Sequence, residues 1–472
     1  MVFSSTIFIF CFLPFTLAGY YLSRKELKNS FLLIMSLLFY AYGEPKFVCI
    51  MLASIVANYV SGLLIGSHRL SSFFVMRKVI LICTILASLG ILFYYKYFDF
   101  FAVNINRLTG LSIPLRHSLL PIGISFFTFQ GMSYVIDVYR GMVDYQKNPI
   151  IVALYIAFFP QLIAGPIVRY ADIESEIINR KETMMDFAVG IQRFSVGLAK
   201  KTVLANNFAI LADMVFDSFG NTGTLKAWIG ALAYTFQIYY DFSGYSDMAI
   251  GLGSMFGFHI RENFNYPYTS NSVTAFWRRW HMSLSTWFRD YVYIPIGGNR
   301  KGNVYLHLLL VFLLTGLWHG AAWNFIVWGL WHGLFLMIER IAKINKKTSF
   351  LDSTSFGATI RSGVKWLYTM IVVIIGWVFF RASNLHAALQ FVQIMFSRTL
   401  DFNEIEYILQ DYGLLLSLGV LCMLPWKRIR ISDSKIVGLS RWFQPIYCSL
   451  LLFLGIAYTI ASTYNPFIYF NF

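Results

Sequence analysis

The chain has 472 residues, 57% of them hydrophobic and only 13% charged, against roughly 25% charged in soluble domains, and its mean hydropathy is +0.60. These values exclude an ordinary soluble domain. The net charge of +15 would suit nucleic acid, but the basic residues stand in short loops between apolar runs, the pattern that orients membrane proteins, so no nucleic-acid partner is expected.

Charge-free stretches fall at 1–23, 47–67, 79–95, 118–136, 148–168, 227–240, 304–338, 366–380, 412–426 and 442–472. A crossing helix takes about 20 mostly apolar residues, so the chain is predicted to be an all-α polytopic membrane protein with roughly ten to twelve membrane helices, some short or broken. The first stretch has no Lys or Arg before it and more spans follow, which favours a retained helix over a cleaved signal. Loops 23–30, 339–365 and 426–441 are basic and are assigned to the cytoplasm. Segment 398–411 carries Asp401, Glu404, Glu406 and Asp411 against Arg398, and is assigned to the outside together with both termini. Cys11, Cys49, Cys83, Cys422 and Cys448 lack CxxC spacing and read as small buried packing residues, with no disulfide or zinc site. No linker-like stretch divides the chain, so residues 1–472 are taken as one domain. The absence of an internal repeat weighs against transporter folds built from inverted repeats.

The run Phe159 to Arg169 contains Pro160 and Pro166 and reads as a helix stop. Next, Tyr239 to Met248 places Asp241 and Asp247 between apolar flanks. Six residues apart, they are poorly placed to share a helical face, which makes structural ion pairs a better reading than a catalytic pair.

The polar, aromatic run from Trp277 to Tyr291 is drawn as one helix. Trp277, Trp280, His281, Leu284, Trp287, Phe288 and Tyr291 then share one face, and Arg278, Arg279, Ser283, Ser285, Arg289 and Asp290 lie off it. An interfacial amphipathic helix explains the arginines. It leaves His281, in the middle of the aromatic face, either packed or facing a cavity.

Residues 304–338 would form one straight helix about 52 Å long, against a hydrocarbon core of about 30 Å. The predicted break is Thr315 to Trp323, where Gly316 and Gly320 permit irregular backbone. Arms 304–318 and 324–338 would each reach about 22 Å, which leaves the turn bearing His319 within the membrane slab. An ionisable side chain at that depth points to function. A histidine there can take a proton from an attacking hydroxyl and return it to a leaving thiol; the alternative is a buried histidine satisfied by a backbone carbonyl. His307 and His332, nearer the ends of the stretch, read as interfacial. No GxxxxGK[ST], GxSxG or HExxH string occurs, and Gly251, Gly253 and Gly257 lack dinucleotide-binding spacing.

Several strings together resemble the membrane-bound O-acyltransferase superfamily, in its bacterial branch of alginate O-acetylation and teichoic acid D-alanine export proteins. They are Met1 to Ser5, Phe39 to Pro45, Pro121 to Phe126, Gln161 to Pro166, Tyr240 to Asp247, Trp277 to Tyr293, Gly316 to Gly320 and Pro466 to Phe470. The closing Tyr469-Phe470-Asn471-Phe472 has Asn where the family pattern carries Arg.

The resemblance implies a ring of helices, with re-entrant and interfacial ones, around a thinned centre that opens to a thioester donor inside and an acceptor outside. It implies His319 and His281 as catalytic residues; Asp241, Asp247, Trp277, Arg278, Arg289, Trp318 and Trp323 are the further candidates for lining or supporting the substrate tunnel. No bound cofactor or metal is implied; acetyl-CoA is the implied donor substrate.

The expected activity is acetyl transfer from a cytoplasmic thioester across the bacterial cytoplasmic membrane, for O-acetylation of an alginate-like polysaccharide. His319 would be the general base, and His281 would orient or polarise the thioester carbonyl. Peptidoglycan and cellulose are alternative acceptors, and a polysaccharide or lipid-carrier transporter is the alternative of another class. No loop is long enough for a sugar-binding domain, so a separate extracytoplasmic, esterase-like partner is expected to complete the transfer.

Overall fold

The computed structural model describes residues 1–67, 73–218, 223–342, 355–397, 402–425, 434–462 and 464–468. Parts of the basic loops 339–365 and 426–441, of the acidic segment 398–411 and of the closing motif lie outside the described residues. All regular structure among the described residues is helical.

Among the described residues, five helical runs are long and apolar enough to cross a bilayer: Pro45–Gly66, Phe74–Thr109, Thr359–Arg381, Ile405–Met423 and Phe443–Ala461. Phe8–Leu22, Val304–His319 and Leu385–Met395 are shorter apolar helices. Exposed Ile82, Leu86, Leu414 and Phe453 give the longer runs the apolar outer faces that lipid requires. The same property corrects the expectation for the cysteines. All five are free, but Cys11, Cys49, Cys83 and Cys422 are exposed and only Cys448 is buried, because a small apolar residue on a membrane helix has no need of a protein core.

The described residues group into two compact units, Met1–Leu198 with Tyr245–Arg261, and Ala199–Gly244 with Glu262–Phe472. The first has an aromatic core in which Phe3 packs against Phe8 at 5.0 Å and Phe12 against Phe159 at 5.4 Å between ring centroids. Gly190 and Gly251 let two of its helices touch backbone to backbone: a Cβ on either would sit 2.6 Å from the other's carbonyl oxygen. Arg193 and Asp247 pair across that crossing at 2.7 Å. The predicted stop near Pro160 appears as a break at Phe158 between Pro149–Ala157 and the single turn Phe159–Leu162, since Pro160 lacks the N–H needed to continue the upstream helix.

The second unit carries both candidate histidines, and six of its helices bear on their placement. Helix α1 (Thr224–Met255) contributes its residues up to Gly244. Two short helices follow, α2 (Val273–Trp277) and α3 (Met282–Phe288), then α4 (Val304–His319), α5 (Trp323–Ile341) and α6 (Ser355–Arg381).

The break predicted in 304–338 is present. Helix α4 begins at Asn303, whose side chain accepts from the Tyr305 and Leu306 N–H groups, satisfying donors that the first turn leaves without intrahelical partners. It ends at His319, and extended Gly320 and Ala322 reverse the chain into α5. The two arms pack closely because Gly316 faces the Phe325 carbonyl and Gly329 faces the Phe312 carbonyl, positions where a Cβ would overlap backbone. Asn324 fixes the start of α5 to the end of α6 by donating to the Phe379 and Ala382 carbonyl oxygens at 3.3 and 3.0 Å.

The single helix drawn through Trp277 to Tyr291 requires correction. The chain leaves helical geometry between α2 and α3, and His281 lies in the left-handed region at φ 43°, ψ 54°. The backbone is costly for a non-glycine residue and persists only where its surroundings over-determine it. Here Met282 N donates to the Asn263 carbonyl oxygen at 3.0 Å, and the Asn263 side chain accepts from Ser283. The predicted inside set nonetheless holds for Trp277, Trp280, His281, Leu284, Trp287 and Phe288, all buried, while Arg278, Ser285 and Arg289 are exposed.

Candidate active site

His319 closes α4 and is buried at 4% exposure. Its imidazole meets the rings of Trp318, Trp328 and Phe380 edge-on at 4.8, 5.0 and 5.1 Å. The reversal at Gly320 therefore delivers a titratable side chain into a pocket of aromatic walls, where desolvation strengthens any polar contact it makes.

His281 is also buried, at 1% exposure. Phe242 of α1 lies edge-on to its ring at 4.6 Å, and Trp318 lies 6.0 Å away. Trp318 thus touches both imidazoles, whose centroids are separated by no more than about 11 Å. His281 Nδ1 stands 3.2 Å from Asn263 Oδ1, and its Nε2 has no hydrogen-bond partner among the described residues. Asn263 was not singled out in the sequence, because nothing local ties residue 263 to residue 281.

His332 departs from the interfacial reading. It is fully buried, with Trp277 at 4.9 Å and Trp328 at 5.3 Å, because Gly376 of α6 leaves space that a Cβ, 2.5 Å from Nε2, would fill. Trp328 consequently packs against both His319 and His332. His307 is buried too, at 9% exposure, and its Nδ1 lies 3.0 Å from the Gly298 carbonyl oxygen, the arrangement of a histidine satisfied by backbone.

On the other face of α3 lies a cavity of about 480 Å³ lined by Arg278, Arg289 and Arg340, by Thr274, Ser285, Tyr293 and Asn299, and by apolar side chains of α4 and α5. Arg289 pairs with Asp290 at 2.6 Å, and Arg340 donates to Asn299 Oδ1 at 3.1 Å. The Arg278 guanidinium has no hydrogen-bond or ion-pair partner among the described residues. The one carboxylate lining the cavity, Glu339, accepts from Val273 N, Thr274 N and Thr274 Oγ1 at 2.5, 2.9 and 2.6 Å. Its oxygens are thereby engaged at the start of α2, and the three guanidinium groups give the cavity the lining that suits an anionic ligand. The sequence counted Glu339 only as a charge in a basic loop; its place at the end of an apolar run was the available signal.

The remaining candidates scatter. Asp241 is buried and paired with Lys201 at 2.7 Å, and its Oδ2 accepts from Ile468 N at 2.9 Å. Asp247 pairs with Arg193. Both carboxylates thus make the ion pairs that their spacing favoured. Trp277 is buried against Trp328 and His332, whereas Trp323 is 51% exposed at the start of α5.

The chain matches the profile of the membrane-bound O-acyltransferase family over residues 146–380. It is 41% identical to a probable alginate O-acetylase of Pseudomonas putida, with the whole of both chains covered. A probable alginate O-acetylase of Pseudomonas syringae is 47% identical over 84% of this chain and 75% of its own length. A peptidoglycan O-acetyltransferase of Helicobacter pylori is 34% identical over all of this chain and 98% of its own.

Proposed function

This chain belongs to the membrane-bound O-acyltransferase family and is a multi-pass membrane acyltransferase, and on that premise we propose that it carries acetyl groups from a cytoplasmic thioester to the outer side of the bacterial cytoplasmic membrane for O-acetylation of an alginate-like polysaccharide. The observation that carries this reading is the pair of buried imidazoles, His281 and His319, in contact with one indole, Trp318. His319, at the tip of the broken hairpin, is the general base toward the attacking hydroxyl, and His281 orients the reactants.

Acetyl-CoA is the proposed donor. The arginine-lined cavity beside α3 supports an anionic donor of this kind, since guanidinium groups suit phosphate oxygens. An extracytoplasmic partner completes the transfer, because the acceptor oxygen must come within about 3 Å of the base and a hydrated polymer is poorly suited to an aromatic-walled site. The identity to alginate O-acetylases favours an alginate-like acceptor over peptidoglycan.

Reconstitution in liposomes, with acetyl thioester on one side and glycan on the other, tests the reading. The wild-type chain with its partner is expected to acetylate glycan, and His319→Ala is expected to insert normally and transfer nothing. Normal transfer by a well-folded His319→Ala protein would refute the assignment. Efficient acetylation of polymeric glycan by this chain alone would remove the need for a partner.

A further inference from the structure

The left-handed turn at His281 puts its imidazole against an amide whose orientation is fixed by chemistry. Asn263 is completely buried, and its side-chain oxygen lies 3.2 Å from Ser283 N and 2.9 Å from Ser283 Oγ. A backbone N–H only donates, so the amide atom facing Ser283 N must be the carbonyl oxygen and not the NH₂ group. This removes the usual ambiguity between the two ends of an asparagine side chain.

The same oxygen lies 3.2 Å from His281 Nδ1, and the other polar neighbour of Nδ1, Ser283 Oγ at 3.4 Å, gives its one proton to Asn263 Oδ1 and so can only accept from the ring. An oxygen that only accepts requires Nδ1 to carry the proton, and in a neutral imidazole the other nitrogen is then bare. Nε2 is buried and has no hydrogen-bond partner among the described residues. Phe242 and Trp318 border the ring.

We propose that Asn263 is a positioning residue that locks His281 in the Nδ1–H tautomer, so that Nε2 stands in the buried site as a hydrogen-bond acceptor for an O–H or N–H group of substrate. The proposal rests on the acyltransferase reading and deepens it. A His281 that polarised the thioester carbonyl would need a proton on Nε2, and Asn263 opposes that arrangement. His281 therefore orients reactants by accepting, with the acceptor hydroxyl or an amide N–H of a pantetheine arm as the matching donor chemistry. This is the logic by which the hydrogen bond on one ring nitrogen decides what the other can do.

The test reads the tautomer directly. Full-length protein carrying ¹⁵N-histidine is placed in lipid nanodiscs, and the His281 signals are assigned by their loss in His281→Gln. The expected spectrum has an N–H-type Nδ1 and a bare Nε2; an Nε2–H tautomer would overturn the proposal, and neither result depends on activity. Loss of acetyl transfer in a protein with the expected spectrum would instead count against the function. As a second arm, Asn263→Asp keeps an acceptor facing Nδ1 and is expected to retain the tautomer and at least a tenth of the wild-type kcat. Asn263→Leu removes the acceptor and is expected to lower kcat by about 100-fold, with donor KM within threefold. Equal impairment of the two variants at normal membrane levels would show Asn263 to be structural only and would overturn the positioning role.

Discussion

The crossing of α4 and α5 determines where His319 sits, and one methyl group tests it. Gly316 lies one helical turn before His319, and a Cβ there would overlap the Phe325 carbonyl oxygen and come within 3.4 Å of Gly329 Cα. Backbone atoms cannot rotate away as a flexible side chain can, so Gly316→Ala must push the arms apart. Overpacking of this kind costs about 1–3 kcal/mol. With a melting entropy of about 2.1 cal/mol/K per residue, about 1 kcal/mol/K for 472 residues, the melting temperature should fall by roughly 1–3 °C. A displacement on the order of 1 Å at the hairpin tip should reduce turnover by about 100-fold.

Gly363 on α6 provides the control, because a Cβ added there meets nothing within 4 Å. Replacing a helical glycine by alanine in open space stabilises by about 0.4–1 kcal/mol, so Gly363→Ala should melt no lower than wild type and retain full activity. The assay is thermal unfolding of the purified proteins in detergent, paired with acetyl transfer in liposomes. Wild-type behaviour of Gly316→Ala, or equal damage from both substitutions, would refute the reasoning.

Replacing Arg278 or Arg340 by Ala should raise KM for acetyl-CoA about tenfold, since one hydrogen bond to a charged group contributes about 1.5–3 kcal/mol. KM for an acetyl-pantetheine thioester lacking phosphates should not change, and equal effects on both donors would disprove phosphate binding in the cavity. Lys201→Met leaves Asp241 buried without its partner and should destabilise the protein by about 3–5 kcal/mol, with much of that restored by the double change Lys201→Met, Asp241→Leu; thermal unfolding of the three proteins decides the point. Single cysteines in 398–411 should react with an impermeant maleimide in intact cells, and those in 339–365 only after permeabilisation. The reverse pattern would overturn the orientation and the donor side.

Much of the site was legible in the sequence because it follows from length and composition. Thirty-five charge-free residues are too long for one crossing, and the glycines at 316 and 320 mark where the chain breaks, so the hairpin and His319 at its end could be found without coordinates. The inside set around His281 was legible too, although the helix drawn to find it is broken, because α2 and α3 each keep helical spacing for their own apolar residues on either side of the break.

What only the tertiary structure decided are the partners of buried polar groups. Asn263 reaches His281 from 18 residues away, Glu339 meets Val273 across 66, and Ile468 donates to Asp241 across 227. No local propensity encodes such pairings. They follow from which helix faces pack together, and each is needed because a polar group withdrawn from water must find its hydrogen bond inside the protein. The same dependence placed His332 in the core. Position 332 lies near the end of an apolar run in sequence, and only the space left by Gly376 on a neighbouring helix makes it an interior residue.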